Sequence, residues 1–258
     1  MGSRPVVLVT GAARRVGRVI ALDLAAHGFD IALHYRSSQA AAEATADEAR
    51  AAGARVELFA ADLADEAAAR ALVPAVAARC GRLDAVVNNA SSFEYDDAAG
   101  FGYARLDRMM RANAAPAVLL AQALHDHLQG HAGTGCVVNL LDQKLWNPNP
   151  DYFSYTLSKA ALEAATTMLA MALAPRLRVC GVAPGITLHS GPMDDEEFAR
   201  SYRMTPLQRS SSPEDIARTV RFLIESPAIT GTTLLVDGGQ HLVGQPRDVM
   251  FLARAQKD

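Results

Sequence analysis

The regular alternation of short apolar runs with stretches of helical periodicity is what most limits the fold of this chain. Val6-Val7-Leu8-Val9 stops at Thr10-Gly11, and from Val16 apolar residues recur at helical spacing to Ala26, with Gly28 as the stop. The pattern then repeats: residues 31–34 fit a strand, 40–52 a helix ended by Gly53, 56–59 a strand, 66–80 a helix ended by Gly81, and 85–87 a fourth strand. Further on, 104–113 and 117–128 fit helices, 136–141 a strand, 152–174 a long helix and 178–182 a sixth strand. Ser212 is a plausible N-cap for a helix over 213–225, and 232–236 supply the last strand. Strands that are apolar throughout and separated by helices belong to a parallel sheet covered on both faces. The expectation is an α/β chain, a doubly wound parallel sheet of about seven strands, in one domain over 1–258. Periodicity fails from Pro184 to Pro206, in a loop long enough to suggest a lid at about 186–206.

Composition narrows the partners. Half of the 258 residues are hydrophobic and a fifth are charged, which is globular rather than disordered. A net charge of -3 leaves no basic surplus for phosphate backbones, so nucleic acid is not an expected partner. Cys80, Cys136 and Cys180 are odd in number and lack CxxC spacing, against both a disulfide framework and a zinc site. His125, His127, His131, His189 and His241 make no metal-ligand pattern, and no metal is expected. With no signal peptide and no long apolar window, the protein is expected to be cytoplasmic and independent of membranes.

Thr10-Gly11-Ala12-Ala13-Arg14-Arg15-Val16-Gly17 lies where the first strand meets the first helix. Glycines there let the backbone approach a pyrophosphate, and the positive end of the helix attracts it. A doubly wound sheet binds a dinucleotide at this place, although an ordinary strand-to-helix turn has the same composition. Arg36 ends the second strand, where an acid would bind a ribose hydroxyl of NAD. His34, Tyr35, Arg36, Ser37 and Ser38 instead offer a guanidinium and hydroxyls, and Arg14 approaches from the first turn. The charge favours a 2′-phosphate and therefore NADPH, unless Arg36 is only a solvated strand end.

Tyr155 and Lys159 are four residues apart and leave one face of a helix. A nearby ammonium favours the phenolate and brings a phenol toward working pH, which is how a proton-transfer group is made. The alternative is a surface Tyr and Lys on an amphipathic helix.

Together these residues resemble the short-chain dehydrogenase/reductase family over nearly the whole chain. The resemblance rests on Thr10-Gly11, Asp62-Leu63, Asn88-Asn89-Ala90, Asn113, Tyr155-x-x-x-Lys159, Pro184-Gly185 and Asp237-Gly238-Gly239, in that order. It implies a Rossmann-type fold, a relay through Asn113, Tyr155 and Lys159, and Asp62 near the adenine. It also implies nucleotide contacts from Leu63, Asn89, Ala90, Ser91, Tyr155, Lys159, Pro184 and Gly185, and a homotetramer. Three departures are similar to the pteridine reductase branch: Arg15 in the glycine turn, Ser91-Ser92-Phe93 after the fourth strand, and Asp142 thirteen residues before Tyr155, where the family usually has Ser.

That resemblance implies a small-molecule pteridine substrate. Phe93 would stack on the ring, Ser91 and Arg14 would bond its polar edge, and Asp142 with Tyr155 would deliver a proton to the nitrogen of a reduced C=N bond. Burial beside an apolar ring is expected to raise the Asp142 pKa. Each residue has a duller alternative: Phe93 as core packing, Asp142 as a strand-end cap. Tyr152 faces either the pocket or the sheet, and Trp146 either lines the site or covers the core. The competing functions are a carbonyl reductase with Asp142 in place of Ser, and an NADPH-binding sensor.

Overall fold

A computed structural model describes residues 4–130, 133–189 and 193–255. His131 and three positions of the expected lid, 190–192, lie outside these residues.

Seven parallel strands form one sheet in the order β3-β2-β1-β4-β5-β6-β7. They are β1 (Val6–Val9), β2 (Asp30–Tyr35), β3 (Val56–Ala60), β4 (Ala85–Asn88), β5 (Gly135–Leu140), β6 (Leu177–Pro184) and β7 (Thr233–Val236). Alternate side chains of β1 serve opposite faces, as the two-residue period requires. Val7 and Val9 pack under α1 (Arg15–Ala26), α2 (Gln39–Ala51) and α8 (Pro213–Glu225). Val6 and Leu8 pack under α3 (Glu66–Cys80) and α5 (Ala115–Gln129). The buried residues of α1 (Gly17, Ile20, Ala21, Leu24 and Ala25) recur at three and four, the spacing of one helical face.

Register places the functional ends together. Val9 pairs with both Leu33 and Val87, Asn88 with Asn139, and Pro184 with Val236, so the carboxyl ends of the strands form one rim. Because β1 lies between β2 and β4, the connections depart in opposite directions there and leave a crevice above the rim. α4 (Tyr103–Asn113) and α6 (Phe153–Ala172) flank that crevice. The start of α6 is set by a distant residue: Asp96 accepts from the Ser154 N–H at 2.9 Å and the Ser154 hydroxyl at 2.5 Å.

The expected loop over 184–206 holds a helix, α7 (Asp195–Arg203). The Asp194 carboxylate accepts from the Glu197 N–H at 2.7 Å and Glu197 accepts from the Asp194 N–H at 3.1 Å, a capping box. It escapes a periodicity search because its buried residues, Glu197 and Ser201, are polar. A second unforeseen helix, α9 (Val249–Ala255), packs against it, with Arg200 donating to the Ala253 carbonyl at 3.1 Å.

The expected cap of α8 is present: the Ser212 hydroxyl accepts from the Asp215 N–H at 3.2 Å, and Asp215 accepts from the Ser212 N–H at 3.0 Å. Ser212→Ala is expected to lower stability by about 1 kcal/mol, as a lost N-cap does. Guanidinium denaturation with an unchanged slope checks this.

Candidate active site

The crevice divides into two connected clefts. The first, about 410 Å³, lies over the ends of β1 and β2 and is lined by Gly11, Arg14, Arg15, Val16, Arg36, Asp62, Leu63, Asn89, Ala90 and Ser91. Its floor is built by hydrogen bonds between neighbouring turns. The Thr10 hydroxyl accepts from the N–H groups of Asn89 at 2.9 Å and Ala90 at 3.0 Å, while the Asn89 amide donates to the Thr10 carbonyl at 2.9 Å. His34 is buried and neutral, since burial pushes its pKa down. Its Nδ1 accepts from the Gly11 N–H at 3.1 Å, and its Nε2 donates to the Ala61 carbonyl at 3.1 Å.

Glycine is required here by space. A Cβ on Gly17 would lie 2.4 Å from the Gly11 carbonyl oxygen and 2.5 Å from the Asn89 amide nitrogen, and Gly11 itself has φ +63°. This close backbone cradle at the start of α1, with Arg14 and Arg36 on its walls, fits a dinucleotide carrying an additional phosphate. Tyr35 and Ser37 do not line it. The Tyr35 ring packs against the core below the sheet edge, and Ser37 is exposed beyond the cleft.

The second cleft, about 320 Å³, opens from the first and shares Arg15, Val16, Asn89 and Ser91 with it. Phe93, Asp142, Tyr155, Lys159, Pro184 and Gly185 also line it. At its centre the Tyr155 hydroxyl donates to Asp142 Oδ2 at 2.9 Å, and Asp142 Oδ1 accepts from the Lys144 N–H at 2.9 Å. Burial raises the Asp142 pKa, partly opposed by these two bonds and by the charges of Lys144 and Lys159. Burial also pushes the Tyr155 phenol well up, and the Asp142 carboxylate adds to it.

The Lys159 ammonium does not draw the phenol down as the four-residue spacing suggests. It donates to the Leu140 carbonyl at 2.7 Å and stands 5.8 Å from the Tyr155 ring centroid. Its own pKa is pushed from 10.5 to about 8 by burial, with Asp142 pulling the other way. Tyr155 therefore keeps its proton at neutral pH and is placed to act as a donor.

Other expected residues take more particular places. Asn113 is buried and spends its side chain on the loop after β4: Oδ1 accepts from the Ser91 hydroxyl at 3.1 Å and the Ser92 N–H at 2.7 Å, while Nδ2 donates to the Ser92 carbonyl and the Ser158 hydroxyl. It positions Ser91 and Phe93 and makes no bond to Tyr155 or Lys159. Arg14 lines only the first cleft, so Arg15 is the guanidinium at the substrate end. The reason is backbone direction: Arg14 is extended at φ -149°, whereas Arg15 is left-handed at φ +54°. Tyr152 faces neither alternative; its ring stacks under Phe93 at 4.1 Å within an aromatic and methionine cluster. Trp146 does not line the cleft. Gln143, Lys144 and Asp248 do; Asp248 carries no local signal because it reaches the site only through the folded C-terminal segment.

Between about pH 8 and 10.5 the unfolded chain holds the Lys159 proton and the folded chain has lost it. The unfolded state binds more protons in that window, so stability from this group rises with pH there, by roughly 3 kcal/mol. Lys159→Met is expected to remove that increment, which paired denaturation curves across the window would measure.

With this geometry in view, comparison with known proteins places the chain. Residues 11–241 match the family model described as enoyl-(acyl carrier protein) reductase. Pteridine reductase 1 of Leishmania tarentolae is 35% identical, over 92% of this chain and 96% of that protein. The 3-oxoacyl-[acyl-carrier-protein] reductase FabG of Staphylococcus aureus (strain Mu50) is 32% identical, over 91% and 97%. The crystal structure of FolM alternative dihydrofolate reductase 1 from Brucella canis complexed with NADP superposes with a TM-score of 0.88 at 41% identity, covering 95% of this chain and 98% of that one. The chain belongs to the short-chain dehydrogenase/reductase family of oxidoreductases.

Proposed function

We propose that this protein is an NADPH-dependent reductase that transfers hydride to a C=N bond of a pteridine, a dihydropterin or dihydrofolate, with Asp142 and Tyr155 delivering the proton. The observation that carries the reading is the 2.9 Å hydrogen bond from the Tyr155 hydroxyl to the half-buried Asp142 carboxyl. The likeness to pteridine reductase 1 and to the alternative dihydrofolate reductase supports it. The NADP complex of the alternative dihydrofolate reductase agrees with the guanidiniums of the first cleft.

NADPH, when bound, supplies the hydride. Arg14 and Arg36 hold its phosphate-rich half by charge, and the Gly11–Gly17 cradle admits its backbone-close portion. Reduction of C=N leaves negative charge on nitrogen, so the protein must place a proton there. With Asp142 ionised, the Tyr155 proton is bound to the carboxylate. With Asp142 protonated, the bond reverses: the carboxylic acid donates to the phenol oxygen and the phenol proton points into the cleft. The raised Asp142 pKa enlarges the fraction in this second state. Phe93, edge-on to Tyr155 with centroids 4.7 Å apart, supplies an aromatic wall for a flat ring. Of the expected lid, Thr187, Leu188 and Met193 line the cleft, and Arg15 donates to the His189 carbonyl at 2.9 Å.

Asp142→Ala is expected to lower kcat for dihydropterins by about 10²–10⁴, the range of a lost general acid, with NADPH affinity retained. Loss of nicotinamide absorbance with dihydropterins, dihydrofolate and a panel of ketones measures it. Ketone reduction without pterin turnover, or full pterin turnover by the variant, overturns the reading. In wild type, turnover is expected to fall as pH rises through the Asp142 titration, because the armed state needs the protonated acid.

A further inference from the structure

The second cleft is more polar than a pteridine ring requires. Just beyond Asp142, on the same 3-10 turn (Gln143–Leu145), Gln143 and Lys144 are buried, at 8% and 4% exposure, and both line the cleft. Among the described residues, Gln143 Oε1 is a buried acceptor with no hydrogen-bond partner. An acceptor removed from water and left unpaired is costly, and native structures keep few of them. Lys144 has three N–H donors on its ammonium and one hydrogen bond, to Asp248 at a long 3.4 Å, with the Tyr152 ring centroid 5.4 Å away. Asp248 lines the same cleft.

This group is firmly mounted. Arg247 grips the Asp151 carboxylate through two nitrogens at 2.8–3.0 Å, and the Asp248 N–H donates to Asp151 at 2.7 Å. The C-terminal segment is thereby fixed to the start of α6, and Asp248 is presented to Lys144 from the opposite wall.

We infer that Gln143, Lys144 and Asp248 form a subsite for an uncharged, hydroxylated substituent of the pteridine, and so decide which pteridine is turned over. The inference rests on the function proposed above. In a 7,8-dihydropterin the reduced bond joins N5 to C6, and C6 carries the substituent. A nitrogen facing Tyr155 and Asp142 therefore puts the first atom of the substituent two bonds away, beside the turn that continues from Asp142 into Gln143 and Lys144. Hydroxyls match what is offered there: each donates once and accepts, against an unpartnered amide oxygen, an under-used ammonium and a carboxylate. The three protein groups sum to zero charge. An anionic tail would meet Asp248 with Lys144 already neutralised, and a methyl group would leave all three unpaired.

The test is the ratio of kcat/KM for a 7,8-dihydropterin bearing a trihydroxypropyl group at C6 to that for 6-methyl-7,8-dihydropterin. It is measured for wild type, Gln143→Leu and Lys144→Met. Because both substrates share the ring, effects on hydride and proton transfer cancel in the ratio. Each variant is expected to lower it by roughly three- to tenfold, mainly through KM for the hydroxylated substrate, as one lost hydrogen bond does. Wild type that reduces both substrates, with a ratio unchanged in both variants, overturns the subsite and leaves the proposed function standing. Wild type that reduces neither overturns the subsite, and reduction of neither these nor dihydrofolate overturns the proposed function as well.

Discussion

The site depends on one half-buried hydrogen bond, from Tyr155 to Asp142, and much of the fold is arranged to make it at 2.9 Å. Asp142 stands two residues beyond β5, whose register with β6 fixes the height of the rim, and the Lys144 N–H locks the carboxyl from behind. Tyr155 stands in the first turn of α6, whose phase is set by Asp96 bonding to Ser154. One residue of slip in that helix would turn the phenol by about 100° around the axis and away from Asp142. The cost of this arrangement appears in the titrations. Burial drives each member toward its neutral form: the carboxyl up, the phenol up and the ammonium down to about 8.

A second constraint joins the two clefts. Thr10 and Asn89 bind the turn after β1 to the turn after β4 across the point where the sheet changes direction. The chain then runs directly from Asn89 into Ser91 and Phe93, so the loop that closes the nucleotide floor also begins the substrate wall. Asn113 holds that loop with bonds to Ser91 and Ser92. A change at Asn113 therefore acts on the placement of the aromatic wall before it acts on proton transfer.

The sheet was legible because strands covered on both faces are largely apolar, and each was bounded by glycine, proline or a helical pattern. Tyr155 and Lys159 were legible for a similar reason, since their pairing follows from spacing along one helix, whereas Gly11 was read from the turn after β1 and Asp142 from the family resemblance. What escaped depended on conformation or on distant contacts. Arg14 and Arg15 are indistinguishable by composition, and only the left-handed φ of +54° at Arg15 sends one guanidinium to the substrate end. α7 was hidden by its polar buried face, although Asp194 and Glu197 already stood at capping-box spacing. That the Lys159 ammonium would turn to the Leu140 carbonyl, and not to the phenol, could not be foreseen from a helix face alone.

The same pair explains why a carboxyl suits this site better than the serine usual at its position. A serine hydroxyl keeps its proton at all working pH values, so it can polarise a carbonyl oxygen by hydrogen bonding but is too weak an acid to release that proton. The Asp142 carboxyl has two states, and the balance between them is set by burial. On the proposed function, a flat ring filling the cleft against Phe93 would displace water from beside the carboxyl and shift that balance further toward the acid. Substrate binding would then arm the donor at the moment when nitrogen needs a proton. With the cleft empty, the ionised carboxylate keeps the phenol proton to itself.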